Sequence, residues 1–341
     1  MTELTMSDER NVGGSSRYVR VTASCTADDV ETVGGKAVGL GSLLRAGQRV
    51  PASFVVTAAA YADYVASGTE DSGLLRDDVR LALAQAYDLL CEQRSDLLTV
   101  AVRSSATVED AHDASFAGQF RTYLGARGVD SVIDQVELCW MTARDPHVDS
   151  YRAHREVGPE GSVAVIVQEL VHARAAGVMF TQHPRTGDRS LVVIEAAHGL
   201  GEAVVGGEIT PDLFEVNKIT RQVQTRRLGH KVVEHRLTSD GRGVQVHPVE
   251  PERQQQWAIS DEEIAELLRM AAELEAALGR GLDIEWAIGT TGEPAGTDEL
   301  FALQVRPITI DHDAGRAGTS HANPIDVVLG RLSGRATGSG G

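Results

Sequence analysis

A chain of 341 residues, 42% of them hydrophobic, has enough apolar material for two domains or one large two-lobed one. Its 32 Lys and Arg face 49 Asp and Glu, a net charge of −17, which argues against non-specific nucleic-acid binding and against docking on anionic membranes. Anionic nucleotides stay open, because a few local cations and Mg²⁺ override a global field. Cys25, Cys91 and Cys139 form no CxxC pair, so neither a zinc site nor a disulfide framework is expected. The N-terminus lacks a basic n-region and an apolar core, and no run approaches the roughly 20 apolar residues of a membrane span. A cytoplasmic protein without a signal peptide is the expectation.

In chain order, residues 1–16 are polar and expected to be disordered. Gly34-Gly35-Lys36 then leads into a short amphipathic helix, followed by a strand at 50–57 and an Ala-rich helix at 58–67. Leu75, Val79, Ala82, Leu83, Ala86, Leu89 and Leu90 are spaced for one buried stripe, which predicts a helix over 74–94. Residues 97–103 form a strand opening into Ser104-Ser105, and a short strand carrying Thr122 follows the Phe116–Phe120 loop. A helix over 130–145 and strands at 162–170, 177–181 and 191–195 come next, then a second Gly-rich segment at 198–212. Residues 213–248 suggest antiparallel strands. Ser260 with Glu263 forms a capping box for a helix running to about Leu278. Two apolar runs, Leu282–Ile288 and Leu300–Ile308, flank a turn-rich stretch and predict a β-hairpin. Beyond Thr309 the composition turns to that of a linker. Irregular alternation with antiparallel neighbours implies an α+β fold of two lobes.

The closing hairpin carries the most chemistry. Gln304 and Arg306 share one face at period two, and Glu285 sits on the adjacent strand. An acid, an amide oxygen and a guanidinium placed together can hold Mg²⁺ and a phosphate chain at once; an ordinary polar outer face is the alternative. Arg103 ends a Val/Ala strand and would deliver a fixed guanidinium to a cleft mouth, unless it pairs with Glu109 or Asp110. Lys36 after two glycines suits a phosphate contact, although no Walker A loop is present and, on this motif alone, a surface loop lysine is the commoner reading. Gln168, ending an apolar strand, could read an adenine or be a buried, satisfied amide. The Gly199–Pro211 segment could cradle phosphates or meet packing demands. Thr181–Gly187 looks like a loop flanking the site, and His321 lies in a polar tail ill suited to a phospho-acceptor.

Taken in order, several blocks resemble the N-terminal nucleotide-binding domain of the phosphoenolpyruvate synthase, pyruvate phosphate dikinase and rifampin phosphotransferase family. They are Gly34-Gly35-Lys36-Ala37, Val102-Arg103-Ser104-Ser105-Ala106, Ala114–Gln119, Gly177–Thr181, Gly199-Leu200-Gly201-Glu202, Thr210-Pro211-Asp212, Asp283-Ile284-Glu285-Trp286 and Gln304–Thr309. The resemblance implies an ATP-grasp fold with an N-terminal lobe at 17–185, a C-terminal lobe at 186–310 and a tail at 311–341. By that likeness Lys36 and Arg103 would bind phosphates, Gly118 and Thr122 would line the phosphate loop, and Gln168 with the backbone of Glu169 and Leu170 would meet the base. Glu285 and Gln304 would hold Mg²⁺, and Arg306 would stabilise charge on the transferred phosphoryl, making Lys36, Arg103 and Arg306 the catalytic cations. It also implies ATP cleavage to AMP and phosphate, with one phosphoryl passing to a histidine on a swivelling domain. That domain would lie on a partner or on C-terminal domains missing here. An ATP-grasp kinase or ligase acting on its own acceptor, and a non-catalytic nucleotide sensor, are the alternatives. His183 departs from the family pattern, which usually has Asp or Asn before this proline.

Overall fold

The computed structural model describes residues 17–67, 75–92, 98–106, 122–143, 163–279, 281–291 and 296–308. The expected disordered N-terminus, Gly118, Glu109, Asp110, His321 and the tail lie outside these residues. Five strands, β1 Val19–Val21, β2 Ser53–Val56, β3 Thr99–Ala106, β4 Thr122–Arg127 and β5 Val163–Glu169, form an antiparallel sheet in the order β1-β2-β5-β3-β4. A second antiparallel sheet has the order β13-β12-β6-β7-β8-β9, from β6 His172–Phe180, β7 Leu191–His198, β8 Asp212–Asn217, β9 Val223–Arg227, β12 Leu282–Thr290 and β13 Glu299–Pro307. Between β9 and β12 comes a separate hairpin of β10 Val233–Leu237 and β11 Val244–Pro248. The helices are α1 Val30–Arg45, α2 Ala58–Ala66, α3 Asp77–Glu92, α4 Val129–Ala143, α5 Glu202–Val205, α6 Pro251–Gln254 and α7 Asp261–Leu278. Among the described residues no helix is long and apolar enough to cross a membrane.

Side-chain alternation explains how the first sheet is covered. Val163, Val165 and Val167 of β5 join Val100 and Val102 of β3 in a core with Tyr87 of α3 and Trp140 of α4. The intervening Ala164 and Ile166 turn the other way, against Val33, Ala37 and Leu40 of α1. Both faces of β5 are therefore buried, which is why its sequence is an almost unbroken apolar run. Helix α1 continues into the second core, shared with Ile264, Leu267 and Leu274 of α7 and with Ile284, Trp286 and Val305 of the closing hairpin. That leaves one face of β12 and β13 turned toward the first sheet.

Two expectations shift. The chain changes sheets between Glu169 and His172. Strand β6 begins at His172 instead of 177, because pairing with β7 and β12 overrides the low strand propensity of His172-Ala173-Arg174-Ala175-Ala176. Helix α1 also starts at Val30, earlier than the glycines, and breaks at Gly34 (φ 77°, ψ 164°). Only glycine fits there: a Cβ would lie 2.1 Å from the Ser105 carbonyl oxygen. The break places Lys36 in the first turn of the helical segment that follows.

Candidate functional site

Pairing between β12 and β13 sets the polar face. Glu285 stands opposite Gln304 and Asp283 opposite Arg306, so four functional groups share one side while Ile284, Trp286, Ala302 and Val305 enter the core. Trp286 pairs with Ala302, which leaves Leu303 as the extra residue of a β-bulge. The bulge turns Leu303 away from the core that Ala302 and Val305 share, and its carbonyl accepts a hydrogen bond from Arg103 Nη1 at 3.3 Å. Arg306 Nε donates to Asp283 Oδ2 at 2.7 Å.

Arg103 joins the two sheets. Its strand position opposite Thr122 and Ile166 aims it off the inner face of the first sheet, and it is 9% exposed. The guanidinium donates to Gln168 Oε1 at 3.4 Å and to Gln304 Oε1, and lies 3.6 Å from Glu285 Oε2. Arg103, Gln168, Glu285 and Gln304 thus meet in one place although up to 201 positions separate them. Lys36 Nζ donates to the Ser104 carbonyl at 3.3 Å, beside Arg103, and Ser105 Oγ caps the amide of Ala37 at 3.2 Å. Thr122 is exposed next to Arg103 across β3 and β4.

Leu170 sits at the crossing between sheets. The amides of Glu169 and Leu170 donate to the carbonyls of Ala52 and Thr99 at 2.8 and 2.9 Å, so their backbone N–H groups are committed within the protein. The Gln168 amide nearby has a buried Nε2 with no hydrogen-bond partner among the described residues. Much of the backbone of the Gly-rich segment is committed within the protein. Its Gly199, Leu200 and Val204–Glu208 amides donate to Arg174, to His235 and within the segment, and His235 is held between Glu202 and Glu208 at 3.2 and 2.9 Å. In the flanking loop His183 Nδ1 accepts from the amides of Arg185 and Thr186 at 3.2 and 3.3 Å, the task an Asp or Asn performs in such turns.

Two acids escaped the sequence reading. Asp283 is 9% exposed and its Oδ1 has no hydrogen-bond partner among the described residues; burial raises its pKa, Arg306 opposes the rise and Glu285 adds to it. Glu195 of β7 faces Val178 of β6, which faces Glu285, so it occupies the same row. Burial, reinforced by Asp283, pushes Glu195 up to about 7. The signal for Asp283 was its two-residue spacing from Glu285, and for Glu195 its being the single charge in Leu191–His198.

An orphaned carboxylate oxygen next to a carboxylate and an amide oxygen is a donor set for a hard, oxygen-seeking cation. The described residues contain no cluster of three His, Cys, Asp or Glu able to form a complete cage. Mg²⁺ commonly takes one or two protein oxygens and fills the remainder from phosphates and water.

Two antiparallel sheets that bring a guanidinium, a lysine and an acid–amide pair together agree with the ATP-grasp fold expected from the sequence. The family model for the pyruvate phosphate dikinase AMP/ATP-binding domain matches residues 71–323, and the chain belongs to that family. A probable phosphoenolpyruvate synthase of Methanocaldococcus jannaschii is 36% identical over 330 residues, covering 87% of this chain and 27% of that protein. One from Archaeoglobus fulgidus is 36% identical over 319 residues, covering 84% and 41%. The prodigiosin synthesizing transferase PigC of Serratia marcescens is 37% identical over 290 residues, covering 81% and 31%. The chain spans well under half the length of these relatives.

Proposed function

We propose that this chain is the ATP-binding catalytic module of a dikinase-type phosphotransferase. ATP and water yield AMP, inorganic phosphate and a phosphorylated histidine, that histidine belonging to a swivelling domain in the same or a partner chain. The observation that carries this is Arg103 of the first sheet meeting Glu285 and Gln304 of the second in a member of an AMP/ATP-binding family. Lys36 and Arg103 would bind the phosphates, Gly118 and Thr122 would line the phosphate loop, and Gln168 with backbone groups of Glu169 and Leu170 would meet the base. Glu285 and Gln304 would hold Mg²⁺, which when bound supplies charge neutralisation between the phosphates. Arg306, oriented by Asp283, would stabilise charge on the transferred phosphoryl.

Phosphoryl transfer needs positioning and fixed charge more than covalent chemistry, so a buried guanidinium anchored by two amides and a carbonyl is well suited to it. One relative is named a phosphoenolpyruvate synthase and another a prodigiosin synthesizing transferase. That difference supports a shared nucleotide module whose final acceptor is selected elsewhere. The test is chromatography of adenine nucleotides after incubation with ATP, Mg²⁺ and a histidine-bearing partner domain. AMP should appear only when the partner is present; ADP as the product would overturn the reading.

A further inference from the structure

Away from the phosphate site, one small cavity is lined by guanidinium groups that no step of the nucleotide chemistry uses. It measures about 260 Å³ and lies where the start of β6, the Gly-rich segment, β10 and α6 meet, with Arg174, Arg236, Arg253 and Glu234 in its walls. None of these residues belongs to the set that Arg103 gathers. Alternation along β10 accounts for the pairing: Glu234 and Arg236 share a face, while His235 between them turns to Glu202 and Glu208. On a chain of net charge −17, three arginines around one opening run against the overall field.

The three arginines are not equivalent. Arg174 is spent on the protein: Nε binds Asp298 at 2.7 Å, Nη1 the Ala258 carbonyl at 3.1 Å, and Nη2 binds Glu263. Arg236 and Arg253 both turn to Glu234, and both reach the same oxygen, Oε1, each through one terminal nitrogen. The Glu234 side chain is 3% exposed, and its Oε2 has no hydrogen-bond partner among the described residues. An ion pair shaped for its own stability lays one guanidinium fork across both carboxylate oxygens. Here one oxygen carries two guanidiniums and the other none. Among the described residues no second acid stands within ion-pair range of either arginine, so one carboxylate faces two cations and a positive charge is left over. The buried anchor holds both groups while their side chains stay 52% and 31% exposed, which leaves N–H donors within reach of a ligand. Neighbouring, pre-oriented guanidiniums suit phosphate and carboxylate oxygens. The cavity is smaller than the roughly 300–1,000 Å³ of sites for drug-sized ligands, so it fits a small anion rather than a nucleotide.

We infer that Arg236 and Arg253, anchored on Glu234, form a second anion site that takes a small dianion, a phosphate or a short dicarboxylate, independently of the residues that grip ATP. Calorimetry at constant ionic strength would titrate inorganic phosphate and malonate into the wild-type chain, Arg236→Gln, Arg253→Gln and Lys36→Ala. At least one probe should bind the wild type saturably, phosphate marking a phosphorylated ligand and malonate a dicarboxylic one. Each arginine substitution should weaken that probe about tenfold or more, the loss of a charge-assisted hydrogen bond. Lys36→Ala should leave it within about twofold, because Lys36 lies at the other site. Arg236 is half exposed, so its variant keeps the test available should Arg253→Gln fail to fold. No saturable binding of either probe, unchanged affinity in Arg236→Gln, or a loss in Lys36→Ala equal to that in the arginine variants would overturn the proposal.

Discussion

Two buried charge constellations in this molecule look alike on paper and differ in every physical respect. Lys231 and Asp212, behind the large sheet, are both completely buried, and Lys231 Nζ bonds Asp212 Oδ1. Asp212 also accepts from the amides of Gly229 and Ala258, each at 2.8 Å, so its oxygens are saturated by fixed donors. At the cleft, Glu285 is 23% exposed at its side chain, while Asp283 Oδ1 and Gln168 Nε2 lack hydrogen-bond partners among the described residues. A sealed, saturated pair can only hold structure together. A half-satisfied set facing a cleft retains bonding capacity for a ligand, at the expense of local stability.

Breaking the sealed pair should have the largest effect on folding. Lys231→Met leaves a buried carboxylate without its cation and is expected to cost about 3–5 kcal/mol in urea denaturation. Nucleotide affinity of the folded fraction should stay the same; a stability loss under 1 kcal/mol would erase the contrast with the cleft. At the cleft the pattern reverses. Glu285→Ala should lower turnover by roughly 10²–10³, the usual cost of one preorganised electrostatic group, while thermal stability holds or rises. Unchanged turnover would remove Glu285 from the metal role.

A smaller effect sharpens the comparison through pH. Glu195, pushed up to about 7 by burial and Asp283, stays protonated in the folded state over a range where the unfolded chain has already lost its proton. Its contribution to stability is therefore present below the unfolded value of 4.5 and lost as pH rises toward 7. Melting temperature should fall across that window, and Glu195→Gln should flatten the slope; an equally steep slope in the variant would contradict it. The smallest change belongs to the loop. His183→Asn keeps an acceptor for the Arg185 and Thr186 amides and should shift stability by less than about 1 kcal/mol, whereas His183→Ala should cost more.

What could be read from the sequence was local. The Ser260–Glu263 capping box, the helix over α7 and the closing hairpin follow from short-range patterns, and each is present. Gln304 and Arg306 on one face follow from period two alone. The bulge at Leu303 does not, because no sequence signal marks which residue a β-ladder will skip. Arg103 shows the limit most sharply. Its strand position was legible, but its meeting with Gln304 depends on how two sheets face one another around α1. Asp283 was in plain view two residues from Glu285 and went without a role.

Fixed cations and an oxygen pair at this site would grip a triphosphate together with a divalent metal. Calorimetric titration of ATP into the wild-type chain, with Mg²⁺ and then with chelator, tests it most directly. Saturable one-to-one binding with Mg²⁺ and markedly weaker binding without it is the predicted result. No association in either condition would contradict it.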